Sequence, residues 1–209
     1  MFGFLIYSLA VATGLTALAT RKTYQVYSLG AFFQPQAVKQ IADSMPHTTE
    51  DEFVLSAWQY VGAIPYEAIG SDMEFTNGEV YCEDCYLPNQ TLDRKVGNCV
   101  AKSALLASIL ANRVAMNRIQ IIVGNYVGAD NSGGHAWVEL WRGNNWYLLE
   151  ATKTPSYPVP WIPAESSYNS YKPEIVLENS HLMRVSSEEV QNMVGCACGG
   201  NIDKYGRQI

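Results

Sequence analysis

The sequence predicts an α+β fold in which helices pack against an antiparallel sheet. Residues 99–111 form an apolar run of helical length with only three polar side chains, and a helix that is apolar nearly all round is typically buried. Downstream, HAWVEL (135–140) alternates in the manner of a strand, and WYLLE (146–150) follows after a short polar turn. Two such strands joined by a short turn predict an antiparallel hairpin.

The first 20 residues contain no charged side chain and are mostly apolar. At about 1.5 Å of rise per residue, a helix of this length just crosses a bilayer, so we expect a membrane anchor with residues 2–20 in contact with lipid. Arg21 and Lys22 follow directly, which favours a cytoplasmic C-terminal side. A secretory signal cleaved after Ala19 would instead mean export, and a buried helix of the fold is a third alternative.

The rest of the chain divides into a connecting region, a main domain and a tail. Residues 21–48 are a mixed connecting region with a short helix after Pro35, residues 49–185 form the expected domain, and residues 186–209 are a tail containing a cysteine pair. Thr49 and Glu52 have the spacing of a capping box for a helix that ends near Val61. The remaining elements are a loop-rich part at 65–97, strands near 118–127, 134–141 and 145–151, a proline-rich surface loop at 151–173, and short strands at 174–177 and 181–185.

Cys99 is predicted to begin the buried helix. Asn98 immediately before it is a good N-cap residue, which would place the thiol in the first turn. Unpaired N–H groups and the helix dipole favour negative charge there, and a thiolate is the reactive form of cysteine. Cys99 is therefore the candidate nucleophile, although a single buried cysteine is more often only a small apolar residue.

His135 and Glu150 complete a candidate triad. If 135–140 and 146–150 pair as a hairpin around residues 142–145, both residues lie at the end of the hairpin that is far from its turn. A carboxylate that accepts a hydrogen bond from one imidazole nitrogen fixes the tautomer that takes a proton from the nucleophile. The order nucleophile, base and acid, each on a suitable element, indicates covalent catalysis by a thiol.

These residues carry a resemblance to a known family. The segments LPNQTLDRKVGNCVAKSALLASIL (87–110), GGHAWVELW (133–141) and WYLLEAT (146–152) resemble the transglutaminase-like superfamily of papain-like cysteine enzymes. The helix in FVLSAWQYVGAIPYEAI (53–69) resembles the one that precedes this core in bacterial, archaeal and phage members. The similarity spans residues 49–152, and it implies a papain-like core with the nucleophile helix against the sheet.

The chain departs from the family pattern at two positions. Members usually carry Asp where this chain has Glu150, whose side chain is longer by one methylene. They also often have a Trp some residues before the cysteine that helps to bind the oxyanion. The nearest equivalents here are Tyr86 and Gln90, and either can donate a hydrogen bond alongside the Cys99 backbone N–H.

The resemblance implies hydrolysis of an amide or peptide bond through an acyl-enzyme on Cys99, with a protein or peptide as substrate. A cell-wall peptide is one such substrate, and transfer of the acyl group to an amine, as in a transglutaminase, is an alternative. A membrane-tethered binding or scaffold domain that kept the fold without catalysis is a second alternative. No cofactor is required for the chemistry.

The other four cysteines form two close pairs, Cys82 with Cys85 and Cys196 with Cys198. Four thiolates make a structural zinc site, which would tie the tail to the segment before Cys99. Two disulfides in an oxidising compartment and free thiols are the alternatives.

Length and charge limit the function further. A chain of 209 residues with 48% hydrophobic content is long enough for one domain with a sizeable core. Its net charge is −6, and the only adjacent basic pairs are at 21–22 and 94–95. We therefore expect no nucleic-acid partner.

Overall fold

The computed structural model of the protein describes residues 25–68, 73–76, 79–82, 85–129, 132–153, 161–178 and 181–185. Its helices and strands, in chain order, are β1 (Gln25–Ser28), α1 (Lys39–Ser44), α2 (Glu50–Gly62), β2 (Met73–Thr76), β3 (Glu79–Cys82), α3 (Pro88–Arg94), α4 (Cys99–Leu110), β4 (Ile119–Val127), β5 (Ser132–Arg142), β6 (Asn145–Leu149), β7 (Tyr171–Glu178) and β8 (His181–Arg184). Short 3-10 helices lie at Leu29–Phe32, Met116–Arg118 and Ala164–Ser167.

A five-stranded antiparallel sheet, in the order β6-β5-β4-β7-β8, forms one layer of the fold. Strands β5 and β6 make the predicted hairpin, with Arg142 opposite Asn145. The two residues of its turn, Gly143 and Asn144, both have positive φ angles of 54° and 69°. That conformation suits the right-handed twist of paired strands, and Gly and Asn adopt it most readily. The mixed helix and antiparallel sheet architecture confirms the α+β prediction.

Helix α4 is the centre of the hydrophobic core. Every one of its residues is buried, including Lys102, Ser103 and Ser108. It packs against β5 and β4 on the sheet side and against α2 and α3 on the other. The predicted start at Cys99 is correct, and the predicted capping box of α2 is present, with Thr49 accepting from the Glu52 N–H and Glu52 accepting from the Thr49 N–H.

Residues 25–48 pack onto the same core, whereas the sequence suggested only a connecting region. The side chains of Phe32, Val38 and Ala42 are fully or almost fully buried. The backbone N–H of Gln34 donates to Ser108 Oγ on α4 at 2.8 Å. This segment therefore supports the nucleophile helix directly.

The loop-rich part at 65–97 contains more regular structure than expected. Strands β1, β3 and β2 form a small antiparallel sheet in that order, and helix α3 follows before Cys99. Strand β7 begins at Tyr171, so the last residues of the proposed surface loop, Tyr171–Pro173, belong to the main sheet instead.

Two predictions concern segments outside the described residues. No helix within the described part of the chain is long and apolar enough to cross a membrane, and residues 1–24 are not among those described, so the membrane anchor stays a prediction. Residues 186–209 also lie outside, and with them Cys196 and Cys198.

Candidate active site

The start of α4 presents the candidate nucleophile. Asn98 caps the helix as predicted, because its Oδ1 accepts a hydrogen bond from the Ala101 N–H at 3.0 Å. Cys99 follows with only 6% of its surface exposed. Its thiol interacts with the His135 side chain and with the backbone N–H groups of Val100 and Ala136. These donors surround the sulfur with partial positive charge.

The base and the acid meet at the end of the hairpin that is far from its turn. His135 Nε2 lies 2.8 Å from Glu150 Oε2. Both side chains are largely buried, with 16% and 6% exposure. The structure therefore brings all three predicted residues together, since the imidazole interacts with both Cys99 and Glu150.

Four further hydrogen bonds hold Glu150 in place. Thr152 donates to Oε1 from its backbone N–H at 2.9 Å and from its hydroxyl at 2.7 Å. The Tyr171 hydroxyl donates to Oε2 at 2.9 Å. Trp58 on α2 donates from Nε1 to the Glu150 backbone carbonyl at 2.8 Å. The carboxylate is fixed by its surroundings, so its extra methylene relative to Asp does not leave it free to move.

The interactions at the site favour the charged forms of all three groups. Burial acts to raise the pKa of Cys99, but the hydrogen bond and charge of His135, together with the Ala136 and Val100 N–H groups, outweigh it and lower that pKa. Burial acts to lower the pKa of His135, yet hydrogen bonds and charges of Cys99 and Glu150 raise it to about 9. The pKa of Glu150 falls to about 2 despite its burial, because His135 and Thr152 donate to the carboxylate. All three shifts are in the direction that favours a thiolate–imidazolium pair held by a carboxylate.

Tyr66 is a site residue that the sequence did not reveal. Burial is the largest influence that raises the pKa of its phenol, followed by the charge of Cys99 and a side-chain hydrogen bond with it. The backbone N–H of Cys99 acts in the opposite direction and lowers that pKa. Tyr66 lies 33 residues before the nucleophile, and a parallel bridge between Tyr66 and Gly97 brings the two segments together. No local motif marks this pairing.

The two predicted oxyanion donors occupy other positions. Gln90 Oε1 accepts from the Leu87 N–H at 2.9 Å, so this side chain closes the first turn of α3. The Tyr86 hydroxyl accepts from Arg94 Nη1 at 3.1 Å, and the Arg94 guanidinium lies 4.4 Å from the centre of its ring. Neither side chain lines the cleft beside His135 and Glu150, whereas Tyr66 does. The oxyanion role of Tyr86 or Gln90 stays a prediction.

A cleft of about 360 Å³ opens beside the triad. Its lining consists of Tyr66, Tyr126, Ser132, Gly133, Gly134, His135, Glu150, Thr152, Lys153 and Tyr171. The rings of Tyr126 and Tyr171 pack on each other at 5.0 Å between centroids, and both lie about 6 Å from the His135 ring. The imidazole therefore has one apolar wall and one open side.

Metal ligands are not grouped in the described part of the chain, where no three His, Cys, Asp or Glu residues form a cluster able to hold an ion. Cys82 and Cys85 are joined to each other as a disulfide, which is one of the alternatives for this pair. Because their possible partners at 196 and 198 lie outside the described residues, a four-thiolate zinc site in the reduced protein stays a prediction.

The comparison with protein families identifies the class. The model of the transglutaminase-like superfamily matches residues 39–151, which is more than half of the chain and includes the whole triad. The chain therefore belongs to the transglutaminase-like superfamily. Curated proteins provided no match.

Solved structures show the same fold. LapG of Legionella pneumophila, in its EGTA-treated form, superposes with a TM-score of 0.55 at 13% identity and covers 78% of this chain and 88% of its own. A second structure of Legionella pneumophila LapG gives a TM-score of 0.54 at 13% identity, with 80% and 93% covered. At this level of identity the likeness supports the fold.

Proposed function

We propose that the protein is a thiol-dependent hydrolase that cleaves an amide or peptide bond. The observation that carries the proposal is the arrangement of Cys99, His135 and Glu150, in which the imidazole interacts with both other side chains and lines an open cleft together with Glu150. Isolated buried polar groups are costly, whereas here each of the three side chains has the partner that nucleophilic catalysis needs.

In the proposed reaction, the Cys99 thiolate attacks the substrate carbonyl carbon and forms a tetrahedral intermediate. His135, protonated and held by Glu150, then gives its proton to the leaving amine, the C–N bond breaks, and an acyl-enzyme remains on the sulfur. Water attacks the thioester while His135 takes its proton, and the free acid leaves as the thiol is regenerated. Glu150 keeps the imidazole oriented and stabilises its positive charge throughout.

The developing oxyanion needs donors near the sulfur. The backbone N–H of Cys99 is one, and in the resting protein it lies close enough to the Tyr66 phenol to lower its pKa. An incoming carbonyl oxygen would take this N–H, and the Tyr66 hydroxyl would turn to donate to the same oxygen. Tyr66 is 55% exposed, so its ring has room for this movement.

The edge of β5 supports an extended peptide as substrate. Strand β6 pairs only with Val138–Arg142, so within the described residues the first part of β5 has no strand neighbour on that side. Because the hairpin turn has two residues, the backbone of Arg142 bonds to Asn145, and its N–H faces the β6 side of the strand. The direction of the N–H group alternates from residue to residue, so the N–H groups of Ala136 and Gly134 face the same side as that of Arg142. The Ala136 N–H there reaches the Cys99 thiol. A peptide that adds to this edge would carry its carbonyl past the nucleophile.

The open side of the cleft favours water over an amine as the second substrate, because water needs no binding site of its own. Acyl transfer to an amine uses the same acyl-enzyme and is a distinct outcome of the test. A binding domain without catalysis is the other outcome.

The test combines thiol reactivity with product analysis. At pH 7 we expect iodoacetamide to alkylate Cys99 at least about tenfold faster than free cysteine, whose thiol is mostly protonated there, and we expect His135→Ala to remove the difference.

Incubation with reduced, carboxymethylated casein and with cell-wall peptides should release new amino groups, with Cys99→Ala as the blank. Incorporation of dansylcadaverine without new amino groups would identify a transferase instead. Ordinary thiol reactivity and no product of either kind would leave only the binding domain.

A further inference from the structure

Lys102 is a buried cation that the reaction proposed above does not use. It lies on α4, one turn after Cys99, and only 1% of its surface is exposed. Its ammonium donates to the carbonyl oxygen of Ile64 at 2.7 Å and to that of Gly62 at 3.3 Å. Gly62 is the last residue of α2, and the carbonyls at a helix end lack partners within the helix and attract positive charge.

The segment that Lys102 holds leads directly to Tyr66. Only Pro65 separates Ile64 from Tyr66, and the same stretch is fixed from its other side by Gly97. The Gly97 N–H donates to the Pro65 carbonyl at 3.2 Å, and the Glu67 N–H donates to the Gly97 carbonyl at 3.3 Å. A β-carbon at Gly97 would lie 3.1 Å from both Ala101 Cβ and Thr91 Cγ2, so this close approach depends on glycine. The segment that contains Tyr66 is therefore held by Gly97, which precedes Cys99 in the sequence, and by Lys102, which follows it.

We infer that Lys102 is a positioning residue for the oxyanion site: its ammonium holds residues 62–64 where the Tyr66 hydroxyl reaches Cys99. An apolar side chain would fill the same volume on a buried helix without the cost of desolvating a charge. The two carbonyls explain why a long donor is needed at this position. The catalytic consequence rests on the proposed function, whereas the placement of Tyr66 does not.

A purely structural role for Lys102 makes a different prediction. Unpaired buried carbonyls lower the free energy of unfolding, but a residue that acts only on stability leaves the turnover of the folded molecules unchanged. A residue that acts through Tyr66 lowers kcat, and it does so only while Tyr66 has a hydroxyl to place. A double-mutant cycle separates the two cases because residues that act together are not additive.

The experiment compares Lys102→Met, Tyr66→Phe and the double variant with the parent, by kcat and KM on a peptide amide substrate under conditions where each is folded. Loss of an oxyanion donor costs roughly 10²-fold in kcat or more, which we expect for Tyr66→Phe. We expect at least a tenfold loss of kcat for Lys102→Met, a smaller change in KM, and a kcat for the double variant within about twofold of that of Tyr66→Phe.

The matched control is Ser108→Ala, since Ser108 is a buried polar residue of the same helix that contacts Gln34 instead. It should lower stability and leave kcat unchanged. Multiplicative losses in the double variant would overturn the inference.

A second readout needs no turnover. In protein labelled with ¹³C at tyrosine Cζ, the Tyr66 resonance should move when iodoacetamide alkylates Cys99. We expect this response in the parent and in Ser108→Ala and its loss in Lys102→Met, and in Lys102→Gln should Lys102→Met fail to fold. An unchanged response in the folded Lys102 variants would refute the positioning role. If the parent cleaves no amide yet shows this pattern, the proposed function fails and the positioning role stands.

Discussion

At the residue scale, Glu150 stands where the resemblance to the family leads us to expect Asp, and its surroundings hold the longer side chain in place. Each carboxylate oxygen has its own donors: Oε1 accepts twice from Thr152, and Oε2 accepts from His135 and Tyr171. A charged acceptor with this many donors is strongly held. Burial of Tyr171 and the negative charge of Glu150 both raise the pKa of the Tyr171 phenol, so Tyr171 stays a donor throughout the neutral range.

Replacing Glu150 by Gln tests the orienting role. The amide can present its NH₂ group to the imidazole and stabilise the wrong tautomer, and it carries no charge to support the imidazolium. We expect kcat to fall at least about tenfold, which is about 1.4 kcal/mol of transition-state stabilisation, while Glu150→Asp falls less. Kinetics with a peptide amide, against Cys99→Ala as the blank, measures both. Parent-like turnover in Glu150→Gln would mean that another group orients His135.

At the element scale, the sequence predicted the parts of the site that a single segment determines. The pair Asn98 and Cys99 indicates the start of a helix. The Gly143-Asn144 turn fixes the register of β5 and β6, which brings His135 toward Glu150. Tyr66 could not be predicted, because its position depends on a bridge to Gly97 that joins segments 31 residues apart. Gln90 has the spacing from Leu87 that suits a helix cap, and its Oε1 accepts from the Leu87 N–H, so its role as a donor to the oxyanion stays a prediction.

The pairing of β4 with β7 gives a sharp test of how an element supports the site. The register of the two strands shifts between Val123 and Gly124, and a β-carbon on Gly124 would lie 2.0 Å from the Lys172 carbonyl oxygen. Gly124→Ala must push β7 outward, and Tyr171 at its start would withdraw from Glu150.

We expect Gly124→Ala to lower the free energy of unfolding by roughly 1–3 kcal/mol, the usual range for overpacking, and to lower kcat in the folded fraction. Urea unfolding and kinetics measure the two effects. The control for stability is Gly133→Ala, where no atom lies within 4 Å of the added carbon. Equal unfolding free energies for the two alanine variants would show that β7 is not fixed at this point.

At the scale of the whole molecule, the segment at 25–48 illustrates the limit of reading by local pattern. Its apolar residues have no long helical or alternating period, so the sequence suggests a connection. They are buried only because α4 offers them a surface, and Ser108 and Asn112 on or just after that helix bond to the backbone at Gln34 and Pro35. The burial of this segment therefore depends on tertiary packing, which the local sequence pattern does not reveal.

The stability of the whole fold should follow the ionisation of the triad. The pKa of Glu150 is lowered from 4.5 to about 2, so its contribution is present above pH 4.5 and is lost as the pH falls through about 2. The pKa of His135 is raised from 6.5 to about 9, so its contribution is present below pH 6.5 and is lost as the pH rises through about 9. We therefore expect these two groups to stabilise the protein most between about pH 4.5 and 6.5.

Urea unfolding at pH 3, 5.5 and 9.5 checks this expectation. The double variant His135→Gln, Glu150→Gln lacks both ionisable groups and should show a flatter dependence on pH. If the parent and the double variant lose stability in parallel on both sides of pH 5.5, other groups control the pH dependence.

The unpaired part of the β5 edge also affects the colloidal behaviour of the protein. A strand edge with unpaired N–H and C=O groups is a template for aggregation, and natural proteins keep such edges short or poor in β-forming residues. Here the exposed stretch begins with Ser132, Gly133 and Gly134, and neither glycine has a side chain that would stabilise a contact between two copies. The composition that leaves this edge accessible among the described residues therefore also disfavours pairing between two copies of the chain.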